Sequence, residues 1–202
     1  MFTSINKTAS LLFIVLVMTI FSINNAQAQY NQVNLEGRAG VVVPTGDFDR
    51  FNADAGFSTG LKASYSFSPY FELRADGDLG IFSTLRDVPT TRFWNVTAGP
   101  GVNFTNPYNT RWTVGVNGGL GFTVIETDNF QGNSFNETYF ALSFGAKVGY
   151  DIASRINLSL SSIGYITFAD EDDTQFFANI PGGSSFEEVF TFPVTLGLSV
   201  RI

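Results

Sequence analysis

Histidine and cysteine are both missing from the 202 residues of this chain. With them go the side chains that most often serve as general base, metal ligand or thiolate nucleophile. What remains able to do chemistry is charge at regular spacing. Glu36 and Arg38, then Lys62, then Glu72, Arg74, Asp76 and Asp78, and later Lys147 fall on the polar phase of alternating stretches. Residues two apart in an extended chain share a face, so each set projects to one side of a strand. Four acids and four bases gathered in one interior can neutralise one another, and any left unpaired would be costly to bury. Two outcomes suit such a set: a salt-bridged plug, or a narrow path for ions or protons lined by the same groups.

A second population of acids lies where alternation stops: Asp47, Asp49 and Asp54, then Glu126, Asp128 and Glu137, then Asp170, Glu171, Asp172, Asp173, Glu187 and Glu188. Carboxylate clusters suit Ca²⁺, which takes six or more oxygen ligands, and Asp170, Asp172 and Asp173 are the candidates. EF-hand spacing is absent, so a solvated anionic surface is the simpler reading. Phe130, Phe135, Phe176, Phe177 and Phe186 stand among these acids. Apolar side chains on loops mark contacts with a partner or with lipid, or else pack over the mouth of the fold. The glycines come at strand period without opening a helix, so they do not cradle phosphate. Neither a cofactor nor an enzymatic activity is expected. The formal charge of -7 argues against a nucleic-acid partner, which needs clustered Lys and Arg.

The elements that position these residues are strands. From Val189 to Ile202 the chain sets Phe190, Phe192, Val194, Leu196, Leu198, Val200 and Ile202 against Thr191, Pro193, Thr195, Gly197, Ser199 and Arg201. The same two-residue rhythm runs through Val33 to Val43, Phe57 to Phe67, Phe71 to Ile81, Trp94 to Phe104, Trp112 to Val124, Tyr139 to Tyr150 and Ile156 to Ile166. Ser68-Pro69, Asn106 to Asn109 and Ala153-Ser154 are short turns, and the other four connections are long and polar. Pro100 lies inside the fourth strand and predicts a bulge. This is an all-β pattern of eight antiparallel strands, long loops at one rim and tight turns at the other, as in an up-and-down transmembrane barrel.

Ahead of the strands, Lys7 supplies a positive start, Leu11 to Ile23 an apolar run and Ala26-Gln27-Ala28 a small-x-small cleavage site. A signal peptide is expected over residues 1–28, leaving a barrel domain over 29–202. Glycine decides which face points inward. Gly40, Gly60, Gly80, Gly99, Gly101, Gly115, Gly119, Gly121, Gly145, Gly149 and Gly197 share the polar face. An eight-stranded barrel has an interior barely wide enough for side chains, so small residues belong in the lumen and the greasy face meets lipid. Two aromatic groups agree, one near the turns (Phe67, Tyr70, Phe71, Phe104, Tyr108, Trp112, Tyr150) and one near the loops (Phe57, Phe93, Trp94, Phe122, Phe140, Phe168, Phe190, Phe192). Phe82, Phe93, Ile125, Tyr139 and Tyr165 are expected to crowd the lumen toward the loop rim, against a wide pore.

The signal peptide, the strand and loop alternation, the Pro44-Thr45-Gly46-Asp47-Phe48 exit from the first strand and the terminal strand together resemble the small bacterial outer-membrane beta-barrel family of the OmpA and OmpX type. The resemblance implies insertion in outer-membrane lipid, handling by a barrel-assembly machinery during biogenesis, and a structural or adhesion-type surface role with an extracellular protein or surface as partner. A narrow porin-like channel for small solutes or ions is the alternative. A soluble ligand-binding barrel is a more remote one.

Overall fold

A computed structural model describes residues 32–45, 55–82, 90–106, 110–128, 134–169 and 188–202, without the side chains of 128, 134 and 135. Eight strands, β1 (Gln32–Thr45), β2 (Gly56–Ser66), β3 (Phe71–Phe82), β4 (Thr91–Asn103), β5 (Trp112–Asp128), β6 (Ser134–Ala153), β7 (Ile156–Phe168) and β8 (Glu188–Arg201), pair in chain order. β8 returns antiparallel onto β1, from Asn34 opposite Arg201 to Thr45 opposite Phe190, and closes the barrel. Closure leaves no strand edge unpaired, which the interior of a bilayer requires.

Burial is inverted relative to a soluble fold. Leu61 is 72% exposed and Leu196 62%, whereas Arg74 and Asp76 are 3% and 2% exposed. The apolar face of every strand therefore looks outward and the charged face fills the lumen. A soluble ligand-binding barrel, which needs an apolar interior, does not fit this arrangement.

Space inside is set by glycine. A Cβ on Gly60 would lie 1.9 Å from Asp78 Oδ1, one on Gly101 2.8 Å from Glu72 Cγ and one on Gly197 2.6 Å from Glu36 Oε1. On the lipid face a Cβ at Gly77 would meet nothing within 4 Å. The long charged side chains of β1 to β3 thus occupy room that glycines on other strands vacate.

Three expectations need correction. Pro100 makes no bulge: β3 and β4 stay in register through Leu73 opposite Pro100, and β4 and β5 keep one register from Ala98 opposite Leu120 to Gly101 opposite Asn117. The missing N–H interrupts the ladder instead of shifting it, and Gly118 and Gly119 across the gap give the backbones room. The register shift that does occur lies between Asp151 and Ala153, beside the β6–β7 turn. Second, Phe93, counted both in the loop-rim aromatic group and among the residues crowding the lumen, is 1% exposed and belongs only to the lumen. Its neighbour Trp94 holds the lipid-facing position, since adjacent strand residues cannot share a face. Third, the β5–β6 ladder continues to Asp128 opposite Ser134, through residues whose polarity reads as loop. Above the hydrocarbon the outward face no longer has to be apolar, so apolar alternation ends while backbone pairing does not, and the inner face stays buried as far as Thr127. At about 3.3 Å per residue, the 20 residues of β6 run roughly 66 Å, far beyond a hydrocarbon core of about 30 Å.

Candidate functional site: the charged lumen

Strand register brings the lumen charges level. Glu36 lies opposite Lys62 and Lys62 opposite Asp76. Gly60 stands between Arg38 on one side and Asp78 on the other. Having no side chain, it lets those two ions meet across β2. Arg38 Nε donates to Asp78 Oδ1 at 2.8 Å, its Nη2 pairs with Asp78 Oδ2, and its Nη1 is 2.9 Å from Asp76 Oδ1. Arg74 Nε is 2.6 Å from the other Asp76 oxygen. The result is a chain of alternating sign: Arg74, Asp76, Arg38, Asp78.

Two further pairs lie beside it. Lys62 Nζ is 2.6 Å from Glu36 Oε2, and Ser159 donates to Glu36 Oε1 at 3.3 Å. Lys147 reaches from β6 to Glu72 Oε1 at 3.4 Å. All eight lumen charges named from the sequence, Glu36, Arg38, Lys62, Glu72, Arg74, Asp76, Asp78 and Lys147, face inward, and each has a partner of opposite sign. Lys147, the most accessible of them, is half-buried. Ion pairs this dry repay their desolvation only when both partners stay in place, and removing one partner typically costs about 3–5 kcal/mol.

Above the charges the lumen turns apolar. Phe82 and Phe93 pack edge to face with centroids 5.4 Å apart, and Ile125 and Tyr165 are fully buried beside a nearly buried Tyr139. Tyr165 ties the two zones together by donating its hydroxyl to Asp78 Oδ2. Val42, Ile163 and Val189 belong to this apolar layer as well. They sit on the polar phase of their strands, and that parity alone could have revealed them. Hydroxyl pairs stitch the remaining wall, with Thr123 donating to Asn95 at 2.6 Å, Thr167 to Thr123 at 3.0 Å and Ser143 to Thr97 at 3.1 Å.

One ion pair escaped the sequence reading. Arg201 Nη2 is 2.8 and 2.9 Å from the two oxygens of Asp151, which also accepts from Asn157 at 2.8 Å. Asp151 follows Lys147 and Gly149 in phase, and Arg201 follows Ser199, so both were marked as inward-facing by spacing. The loop candidates cannot be placed: Phe130, Phe176, Phe177 and Phe186, the proposed calcium ligands Asp170, Asp172 and Asp173, the turn residue Tyr108 and residues 1–28 lie outside the described residues, as does the side chain of Phe135. Among the described residues no group of three or more carboxylates is arranged to hold a metal ion.

A closed eight-stranded barrel with an apolar outer skin, a polar interior and aromatic belts at its rims is the architecture of a bacterial outer-membrane protein. A family model described as the outer membrane protein beta-barrel domain matches residues 13–180, and the chain belongs to that family. Its place is the bacterial outer membrane. Among solved structures, Neisserial surface protein A superposes with a TM-score of 0.59 at 13% identity, covering 85% of this chain and 97% of that one. The N-terminal barrel domain of Pseudomonas aeruginosa OprF gives 0.52 at 14% identity, covering 85% and 99%. Yersinia pestis Ail, in complex with the heparin analogue sucrose octasulfate, gives 0.50 at 16% identity, covering 86% and 98%. No curated protein matches the sequence. Identities this low carry the fold alone.

Proposed function

We propose that this barrel is a structural or surface-interaction protein of the adhesion type, non-enzymatic, with a lumen that stays shut. The observation that carries the reading is double closure. Paired ions fill the lower lumen, and Phe82, Phe93, Ile125 and Tyr165, each no more than 1% exposed, fill the lumen above them. With its interior filled, the outward-facing segments are where such a protein can act. Those segments carry Asp47, Asp49, Asp54, Asp170, Glu171, Asp172 and Asp173. A polysulfate of the kind bound to Ail would be repelled by that charge, so a basic protein surface suits them better, with Phe130, Phe135, Phe176, Phe177 and Phe186 as apolar anchors. Secretion would remove residues 1–28, and a barrel-assembly machinery would insert the remainder.

Purified barrel in a planar bilayer is expected to give no discrete conductance steps, and binding to a basic surface should fall when the 170–188 segment is shortened. Stable single-channel openings would overturn the plug. A narrow ion channel is the second reading. It is favoured by the buried Ser58 Oγ, Ser64 Oγ and Asn117 Oδ1, which have no hydrogen-bond partner in the protein and so invite internal water. That reading requires openings whose conductance drops in Lys62→Gln or Asp76→Asn.

A further inference from the structure

The closure that leaves no strand edge inside the bilayer stops short of the top of the β5–β6 hairpin. β6 begins at Ser134, yet its first rung with β7 is Phe140 opposite Phe168. Among the described residues none pairs with Ser134 to Thr138 on the β7 side. On the other side β6 pairs with β5 without a break, from Asp128 opposite Ser134 to Trp112 opposite Tyr150. That unbroken ladder fixes which backbone groups are left over. The N–H and C=O of one strand residue point to the same neighbour, and successive residues alternate. Asp151 donates its N–H to the Arg111 carbonyl at 2.8 Å, so the odd-numbered residues of β6 bond to β5. Ser134, Asn136 and Thr138 therefore turn their donors and acceptors toward the β7 side. Asn136, Glu137 and Thr138 are exposed, and an exposed strand edge is a template for another strand.

Charge narrows what can pair there. Residues 124–139 hold three acids, Glu126, Asp128 and Glu137, and no base. Arg92, opposite Glu126, belongs to β4 on the far side of β5. An antiparallel partner would meet Glu137 in the non-hydrogen-bonded kind of pair, where side chains come closest and opposite charges attract. On the outward face the foot of the edge is apolar, with Phe140 stacked on Phe168 at 6.0 Å between centroids. The chain's own 170–187 segment suits the place poorly: it brings Asp170, Glu171, Asp172 and Asp173 to a like charge and contains Pro181-Gly182-Gly183, which weaken strands. A second copy of the barrel would bring the same acids.

We propose that the edge from Ser134 to Thr138 is a strand-addition site for an extended segment of a basic protein, with Lys or Arg alternating with apolar residues. This rests on the surface-interaction reading above and gives it a mode of recognition. Main-chain bonds at Ser134, Asn136 and Thr138 supply affinity, and a cation opposite Glu137 selects the partner.

The test uses the full isotope-labelled barrel in lipid nanodiscs at low salt, with amide exchange read residue by residue by NMR. In the protein alone, Glu137 should exchange slowly, because β5 holds its N–H, while Asn136 and Thr138 exchange fast. A synthetic peptide alternating Lys and Val should slow Asn136 and Thr138 by at least about tenfold. With Lys opposite Glu137, the valine N–H groups face the edge, so N-methylation of the valines should weaken binding at least about tenfold, whereas N-methylation of the lysines should not. Glu137→Lys should reverse the preference for this peptide over one alternating Glu and Val. Protection of Asn136 and Thr138 in the protein alone would mean that the chain covers its own edge, and overturns the proposal. Equal binding of the two methylated peptides overturns it too, while leaving the affinity for basic surfaces and the proposed role intact. No binding of the Lys and Val peptide in any form overturns the edge and the basic partner together.

Discussion

Asp76 is the point at which the lumen network can be tested most sharply. Among the described residues it is the one carboxylate held by two arginines, Arg38 at 2.9 Å and Arg74 at 2.6 Å. Asp76→Asn preserves volume and removes the charge, leaving four bases against three acids inside. Arg38 retains both oxygens of Asp78, so the loss falls on Arg74, which is 3% exposed. An uncompensated buried charge costs about 3–5 kcal/mol, and that is the expected fall in unfolding free energy. Reversible urea unfolding in lipid vesicles, followed through Trp94 and Trp112, measures it. Removing the stranded cation as well, in Asp76→Asn/Arg74→Met, should recover about 2–3 kcal/mol, at the upper end of couplings seen between touching residues. In a lumen open to water the same pair would be worth at most about 1 kcal/mol. A single variant that loses less than that, or a double variant that recovers nothing, refutes the dry plug.

Orientation has its own checks. Leu196→Arg, on the lipid face at mid-strand, should cost about 2–4 kcal/mol in the same assay, whereas Thr195→Arg should fail to fold because the added side chain enters a filled lumen, seen as loss of heat-modifiable mobility on a gel. Gly77→Ala, with no neighbour within 4 Å, is expected to be neutral to within about 0.5 kcal/mol. Gly121→Ala would place a Cβ 1.9 Å from Val96 O and should cost about 3 kcal/mol, the upper range for overpacking. Arg201→Gln exposes the pair with Asp151 at the rim, where solvent screens it, and a loss under about 1 kcal/mol is expected from thermal or urea unfolding.

Much of the architecture was written in local alternation. A face that meets lipid must be apolar at every second residue, and no other demand on the chain competes with that one inside the bilayer. This is why Lys62 and Asp76 could be placed in the lumen without a structure. Legibility ended where the membrane ended. Glu126, Asn136 and Glu137 stand in a paired hairpin that carries no apolar rhythm, because its outward face has left the hydrocarbon and need not be apolar. Pro100 misled for a different reason: its effect depends on what lies across the ladder, and the glycines at 118 and 119 that absorb it belong to another strand. The pairing of Asp151 with Arg201 likewise joins residues 50 apart, reaching across β7. Their phase marked them as inward, but only the registers of β6 and β8 against β7 set them face to face.

The origin of the lumen charges bears on how the barrel is made. Seven of the eight, from Glu36 to Asp78, come from three consecutive strands, and only Lys147 arrives later. Arg38 meets Asp76 and Asp78, Arg74 meets Asp76, and Lys62 meets Glu36 within that one sheet. A nascent three-stranded sheet can thus mask nearly all its own ions while its seam is still open. Glu72 alone draws its partner from the sixth strand, so the ions of the first three strands are close to self-neutralised among themselves.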